Sequence, residues 1–394
     1  MKKKILFYCQ HILGMGHLVR SMEIVRGLAG EFEVCFINGG EQVPGFAVPP
    51  GIEVINLPAI KTDAAFRTLT VVGQADDLEA VQAARRDRLL AILHRFAPDA
   101  LVIELFPFGR RRFSFELVPL LEAARAGGRT KVICSLRDIV VTKQDQAKHE
   151  QKVCQLMNRY FDLLLVHGDP RFQPLEQTFS RVADLTCPVH YTGYVVQQPP
   201  PAPPAALPAG PLIVTSIGGG RFGHELIAST IGASGILQER LPHRFAIFCG
   251  PFMPEDTFER FQLLATSLPR TTVERYTPHL LSYLQKADLS ISMSGYNTTM
   301  NVLTTGVRAM LLAFTGNDDL EQTIRSQKLE DLGVVARIHP EELLPERFAR
   351  KILACLEREP TTFHFDLDGV ARTAGHLRAL LAPALPTTAV GPFR

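Results

Sequence analysis

The residues able to do chemistry gather at four polar corners, each following a short apolar run. The first is Gly14-Met15-Gly16-His17. Its glycines permit a tight turn and close backbone approach to a ligand. His17 stands at the start of a helix, whose positive end lowers the imidazole pKa and favours the neutral form a general base needs. The competing reading is a turn whose histidine caps the helix. The second corner, Ser216 to Arg221, carries Gly218, Gly219 and Gly220. Such a run can aim N–H groups at a diphosphate, with Arg221 adding a charge-assisted bond; an ordinary strand-to-helix turn is the alternative. The third runs from Ser294 through Gly295, Asn297 and Thr298 into a helix, again with free N–H groups and a helix dipole suited to phosphate. The fourth, residues 315–319, ends at Asp319 and leads into Glu321 and Gln322. A carboxylate and an amide can each pair with a sugar diol, although acids also favour an exposed first helical turn.

Glu104, Arg137 and Asp138 end apolar runs of the first half. They can orient an acceptor or assist His17, or they form a buried salt-bridge network. Arg110, Arg111 and Arg112 can meet a phosphate or carboxylate bidentately, but three consecutive arginines cannot all point one way, so a solvated corner competes. The DxD at Asp366 to Asp368 lies near the end of the chain and reads as a turn. No His/Cys cluster has zinc spacing, so no metal is expected.

Strands that alternate with helices must position these corners. Strands are expected at residues 4–9, 32–37, 52–57, 99–106, 131–136 and 162–167, with helices at 18–29, 76–96 and 143–160. Residues 197–211, rich in Pro and Ala, mark an extended linker. Alternation then restarts, with strands at 212–217, 245–249, 272–275, 289–293, 308–314 and 333–338. Helices are expected at 225–237, 255–268, 280–287, 345–357 and from the third corner to Thr305. This is an α/β chain of two Rossmann-like doubly wound domains, 1–196 and 212–375, followed by a tail at 376–394.

Residues 288–322 resemble the donor-binding segment of the GT-B glycosyltransferases, above all the family 28 type UDP-sugar transferases that complete the lipid-linked peptidoglycan precursor. An aspartate-led strand runs into Ser-Gly, a helix, a Gly, an apolar strand and an acidic-Gln pair, all in order. The resemblance implies two domains facing across a cleft, with the nucleotide-sugar on the C-terminal one. It implies that Tyr276, Thr277 and His279 lie in the segment reading the base, and that Asp319, Glu321 and Gln322 lie near the sugar. Two departures stand out: Asn301 replaces the usual ribose-binding Glu, and Arg325 the usual Asn. On the N-terminal side it implies that the loop of Gly14, Gly16 and His17 faces the cleft; His17 and Glu104 are then the expected catalytic groups, and Gly14, Gly16, Arg110, Arg137 and Asp138 the expected acceptor side. Gly14 to Arg20 also fits a GxGHxxR pattern similar to that of UDP-sugar hydrolases of nonulosonic acid synthesis, in which the His activates water.

The expected activity is therefore sugar transfer from a nucleotide-diphospho-sugar, a UDP-sugar in the first instance, with inversion and without a metal or other cofactor. A nucleotide-sugar hydrolase and a non-catalytic sugar-nucleotide-binding protein are the alternatives. The acceptor is a small or lipid-linked molecule. A formal net charge of +2 gives no global argument for nucleic acid. Seven scattered Cys without CxxC pairs suit a reduced, cytoplasmic protein. No apolar run has membrane-spanning length, leaving peripheral membrane contact open.

Overall fold

The computed structural model describes residues 2–12, 15–43, 46–62, 68–73, 77–141, 145–198, 207, 209–316, 320–359, 361 and 363–383. The linker expected at 197–211 and the end of the chain lie largely outside them.

The first half builds one parallel sheet. Its strands are β1 (Lys4–Cys9), β2 (Glu33–Asn38), β3 (Glu53–Asn56), β6 (Ala100–Glu104), β7 (Lys131–Arg137), β8 (Leu163–His167) and β9 (Val189–Tyr191). They lie in the order β3-β2-β1-β6-β7-β8-β9. A short antiparallel hairpin, β4 (Ile60–Thr62) and β5 (Leu69–Val71), stands apart from that sheet. The helices are α1 (Gly16–Leu28), α2 (Leu78–Phe96), α3 (Ser114–Ala126) and α4 (Gln146–Tyr160). Strand alternation splits β1 between two cores: Leu6 and Tyr8 pack into one, Ile5, Phe7 and Cys9 into the other. Both faces are thus covered, as a parallel sheet requires.

The second half repeats the scheme with β10 (Leu212–Ser216), β11 (Arg244–Phe248), β12 (Thr271–Glu274), β13 (Leu289–Met293), β14 (Ala309–Leu312) and β15 (Ala336–Ile338). The order is β12-β11-β10-β13-β14-β15, parallel throughout. Its helices are α5 (His224–Leu237), α6 (Glu255–Ala265), α7 (Leu280–Lys286), α8 (Tyr296–Thr305), α9 (Glu321–Asp331) and α10 (Pro345–Glu357). A last helix, α11 (Gly369–Leu381), crosses the tail boundary set at 375/376 and returns to the first half. Its Ala374 and Leu377 join the core containing Ile24, Val25 and Leu28 of α1. The approach is close: a Cβ on Gly27 would strike a Val370 methyl. All seven cysteines are free and buried. Among the described residues no helix is long and apolar enough to cross a membrane.

Candidate active site

In an open α/β sheet the ligand crevice lies beyond the strands' carboxyl ends, where successive connections depart in opposite directions. In the first sheet that point falls between β1 and β6, and in the second between β10 and β13. The two points face each other. The Asn297 amide donates to the Gly16 carbonyl at 2.9 Å, and Arg221 pairs with Glu41 at 2.5 Å.

His17 occupies the first turn of α1, and Glu104 is the last residue of β6. Their side chains meet, His17 Nδ1 to Glu104 Oε1, at 2.7 Å. Arg20, one turn further along α1, donates to the same oxygen. Burial alone would raise the Glu104 pKa, but His17, Arg20 and Arg110 hold it down at about 2, so the group is a carboxylate. Burial lowers His17 to about 3; Glu104 opposes that shift and Arg110 reinforces it. The neutral ring therefore donates its Nδ1 proton to the carboxylate and carries its lone pair on Nε2. Among the described residues Nε2 has no partner, and the side chain keeps 17% exposure. This is the geometry of an oriented base.

A second network crosses between the halves. Glu321 pairs with Arg137 at 2.5 Å and with Arg325 at 2.8 Å, and Arg325 reaches Asp138 at 2.8 Å. Two guanidiniums lie over the Tyr296 ring, Arg20 at 5.1 Å and Arg325 at 5.5 Å from its centre. Its hydroxyl donates to the His167 carbonyl at 3.2 Å and accepts from Val195 N–H at 3.1 Å.

The corners of the second half work through backbone. Gly220 and Gly250 have φ of +89° and +88°. A Cβ on Gly220 would meet the Cys249 carbonyl at 2.5 Å, so the loops after β10 and β11 stack main chain against main chain. Gly218, at φ +68°, faces open space. α8 begins at Tyr296 without a side-chain cap, which leaves its first N–H groups available. Such a helix start, beside the Gly218 loop and Arg221, can hold a diphosphate.

Several expected positions are already engaged within the protein. The Ser294 hydroxyl donates to the Gln322 carbonyl at 3.3 Å, and the residue is fully buried. The Gln322 amide oxygen accepts from Phe314 N–H at 3.0 Å, tying the side chain to the end of β14. Asp138 is fully buried against Arg325. Asn301, one turn past Asn297, is buried and donates to Gln197 at 2.9 Å. Of the arginine run, Arg110 turns inward, its Nε bonding the Gln10 carbonyl at 2.6 Å, while Arg111 and Arg112 are exposed. Thr298 sits half-buried in the first turn of α8, and Gly219 accepts from Phe252 N–H at 2.9 Å. Tyr276, Thr277 and His279 lie in the loop between β12 and α7, where Thr277 accepts from His279 N–H at 3.1 Å. Gly14 and Asp319 lie outside the described residues. Asp366 pairs with Arg372 and its carbonyl accepts from Tyr194 N–H, which makes the DxD part of a turn against residues 193–194.

Arg20, Tyr296 and Glu41 were not anticipated as site residues. Arg20 closes the GxGHxxR spacing and Tyr296 stands at a helix start, so each had a signal. Glu41 had none.

Residues 217–365 match the glycosyltransferase family 28 C-terminal domain. No curated protein sequence matches the chain. Among solved structures, CalG4, the calicheamicin glycosyltransferase, superposes with a TM-score of 0.61 at 16% identity, covering 98% of this chain and 100% of its own. Acinetobacter baumannii MurG gives 0.56 at 16%, covering 96% and 99%. The spinosyn rhamnosyltransferase SpnG, complexed with thymidine diphosphate, gives 0.55 at 15%, covering 96% and 95%. The fold is GT-B, residues 217–365 match a family 28 C-terminal domain, and together they support a glycosyltransferase.

Proposed function

We propose that the protein moves a sugar from a nucleotide-diphospho-sugar, a UDP-sugar in the first instance, to an acceptor hydroxyl bound by the first half. The observation carrying this reading is the His17–Glu104 pair at 2.7 Å, with Nε2 unpartnered opposite an uncapped helix start. His17 Nε2 takes the acceptor proton as the oxygen attacks the anomeric carbon, and Glu104 stabilises the imidazolium that forms. The diphosphate departs toward the α8 start, the Gly218 loop and Arg221, whose N–H groups and positive charge meet its negative charge. This scheme needs no cation. Attack from the first half opposite a leaving group on the second half inverts the anomeric centre.

To reach the leaving group Arg221 must exchange Glu41 for phosphate, and to reach the sugar Glu321 must loosen its hold on Arg137. Donor binding and these exchanges are therefore linked.

The same Nε2 serves a hydrolase equally well, with water in place of the acceptor. The test is a panel of UDP-, dTDP- and GDP-sugars incubated with the full chain, with free nucleoside diphosphate and free sugar read separately. Release that requires an added acceptor supports transfer. Rapid equimolar release of both products without one makes the protein a hydrolase. Unaltered release by His17→Ala would sink the mechanism in either case.

A further inference from the structure

Among the described residues, the buried charges at the seam do not balance. The cations Arg20, Arg110, Arg137 and Arg325 face the anions Glu104, Asp138 and Glu321, four against three. Guanidinium stays charged in any environment of this kind, so the excess cannot be removed by deprotonation. Each anion already has a cationic or imidazole partner: Glu104 through Oε1 with Arg20 and His17, while its buried Oε2 has no hydrogen-bond partner, Asp138 with Arg325, and Glu321 with Arg137 and Arg325. The excess falls on the first-half wall beside His17. Arg110 uses only its Nε, on the Gln10 carbonyl, and its two terminal NH₂ groups have no partner among the described residues. Arg137 touches Glu321 through Nη1, while its Nε is buried and unpartnered. Arg325 likewise keeps a buried, unpartnered Nη1 although the residue is fully buried.

The backbone holds Arg110 in this place. Arg137 ends β7, which neighbours β6, and Arg110 lies in the loop leaving β6, so both reach the same edge. Within that loop Leu105 and Arg110 have φ of +66° and +57°. A bulky residue in that region costs free energy and persists only where the surroundings impose it. Burial and Arg137 lower the Arg110 pKa while Glu104 opposes them, and both arginines depress His17, so the three groups share one small space.

We infer that the acceptor carries a carboxylate or phosphate close to its reacting hydroxyl, held by Arg110 and Arg137 while the hydroxyl meets His17. The inference rests on the transferase reading. Both anions present a pair of oxygens at a spacing that guanidinium can bind bidentately. Such a group supplies the missing negative charge and can accept from the terminal NH₂ groups of Arg110, whereas a neutral alcohol leaves the charge uncompensated. It also supplies Arg137 with a new partner when Glu321 turns to the sugar.

The test is calorimetric binding of matched probes to the full chain: benzoate against benzamide, and phenyl phosphate against phenol. The anionic member of at least one pair is expected to bind ten-fold tighter or more, and Arg110→Gln should abolish that preference. Preference confined to benzoate identifies a carboxylate, and preference confined to phenyl phosphate a phosphate. Equal or undetectable binding within both pairs overturns the inference, and this comparison needs no variant. A phenyl phosphate preference that survives Arg110→Gln places the anion at the donor corner and also overturns it. The transferase reading is judged separately, by nucleoside diphosphate release. A preference without release from any donor keeps the anion site and removes the transferase; release with neutral acceptors alone does the reverse.

Discussion

The two switch-point corners face each other but are built from different materials. The first half presents side chains: a buried carboxylate, an imidazole at 2.7 Å from it, and guanidiniums around both. The second presents backbone: an uncapped helix start and glycine loops packed so closely that a single Cβ would strike a carbonyl at 2.5 Å. The difference follows from the tasks. A proton must be taken by a group whose pKa the surroundings can set, and this needs a titratable side chain in a desolvated place. A diphosphate needs fixed dipoles that require no titration, and the main chain supplies them at no cost in side-chain entropy.

The sharpest way to break this contrast is at His17. His17→Ala should lower turnover by about a hundred- to ten-thousand-fold while leaving donor affinity within a few-fold, because only the side-chain corner is damaged. Single-turnover rates and donor titration check the two halves of that statement. Glu104→Gln should cost less in rate, since the imidazole remains but loses its charged orienting partner.

Next in size is Gly220→Ala, which adds only a methyl group. A positive φ and a 2.5 Å clash with main chain should cost about 1–3 kcal/mol of stability and weaken donor binding, with little change in the environment of His17. Gly218→Ala, with open space around its Cβ, should cost about 1 kcal/mol through φ alone. Equal losses in the two variants, measured by chemical denaturation, would contradict the stacked-loop account.

A pH titration of stability distinguishes the corners again. His17 and the fully buried His167 have folded pKa values near 3, against 6.5 when unfolded. Between those values the unfolded chain binds protons that the folded chain refuses, so stability falls as the pH drops below 6.5. Glu104, at about 2 against 4.5, adds a further loss on going below pH 4.5. His17→Gln should recover about 2 kcal/mol of the loss at pH 5. If the pH dependence of the melting temperature is unchanged in this variant, His17 is not held neutral.

Tyr296→Phe tests a contact that joins the two halves. It keeps the ring beneath Arg20 and Arg325 and removes only the hydroxyl bonds to His167 and Val195, at about 1 kcal/mol each. Calorimetry should show little broadening of the unfolding transition.

Much of this was legible from local pattern. The bounds of β1, β13 and α10 agree with expectation to the residue, because their apolar periods and flanking signals concur. α3 was not legible: Pro119 lies inside it, and the helix forms because Leu117, Leu120, Leu121 and Ala124 bury their shared face. α11, with Gly369 and Gly375, has weak helical propensity and gains its place by packing on α1.

By itself the sequence determined the two doubly wound halves, the four corners and the candidacy of His17, since each depends on residues near one another in the chain. Only the tertiary structure decided which groups meet. Glu104 reaches His17 across 87 positions, Asp138 reaches Arg325 across 187, and Asn297 reaches Gly16 across 281. Charge pairing depends on distance in space, and burial multiplies it. For that reason the sequence could name Asp138 and Ser294 without showing that both are buried, one against Arg325 and the other against the Gln322 carbonyl.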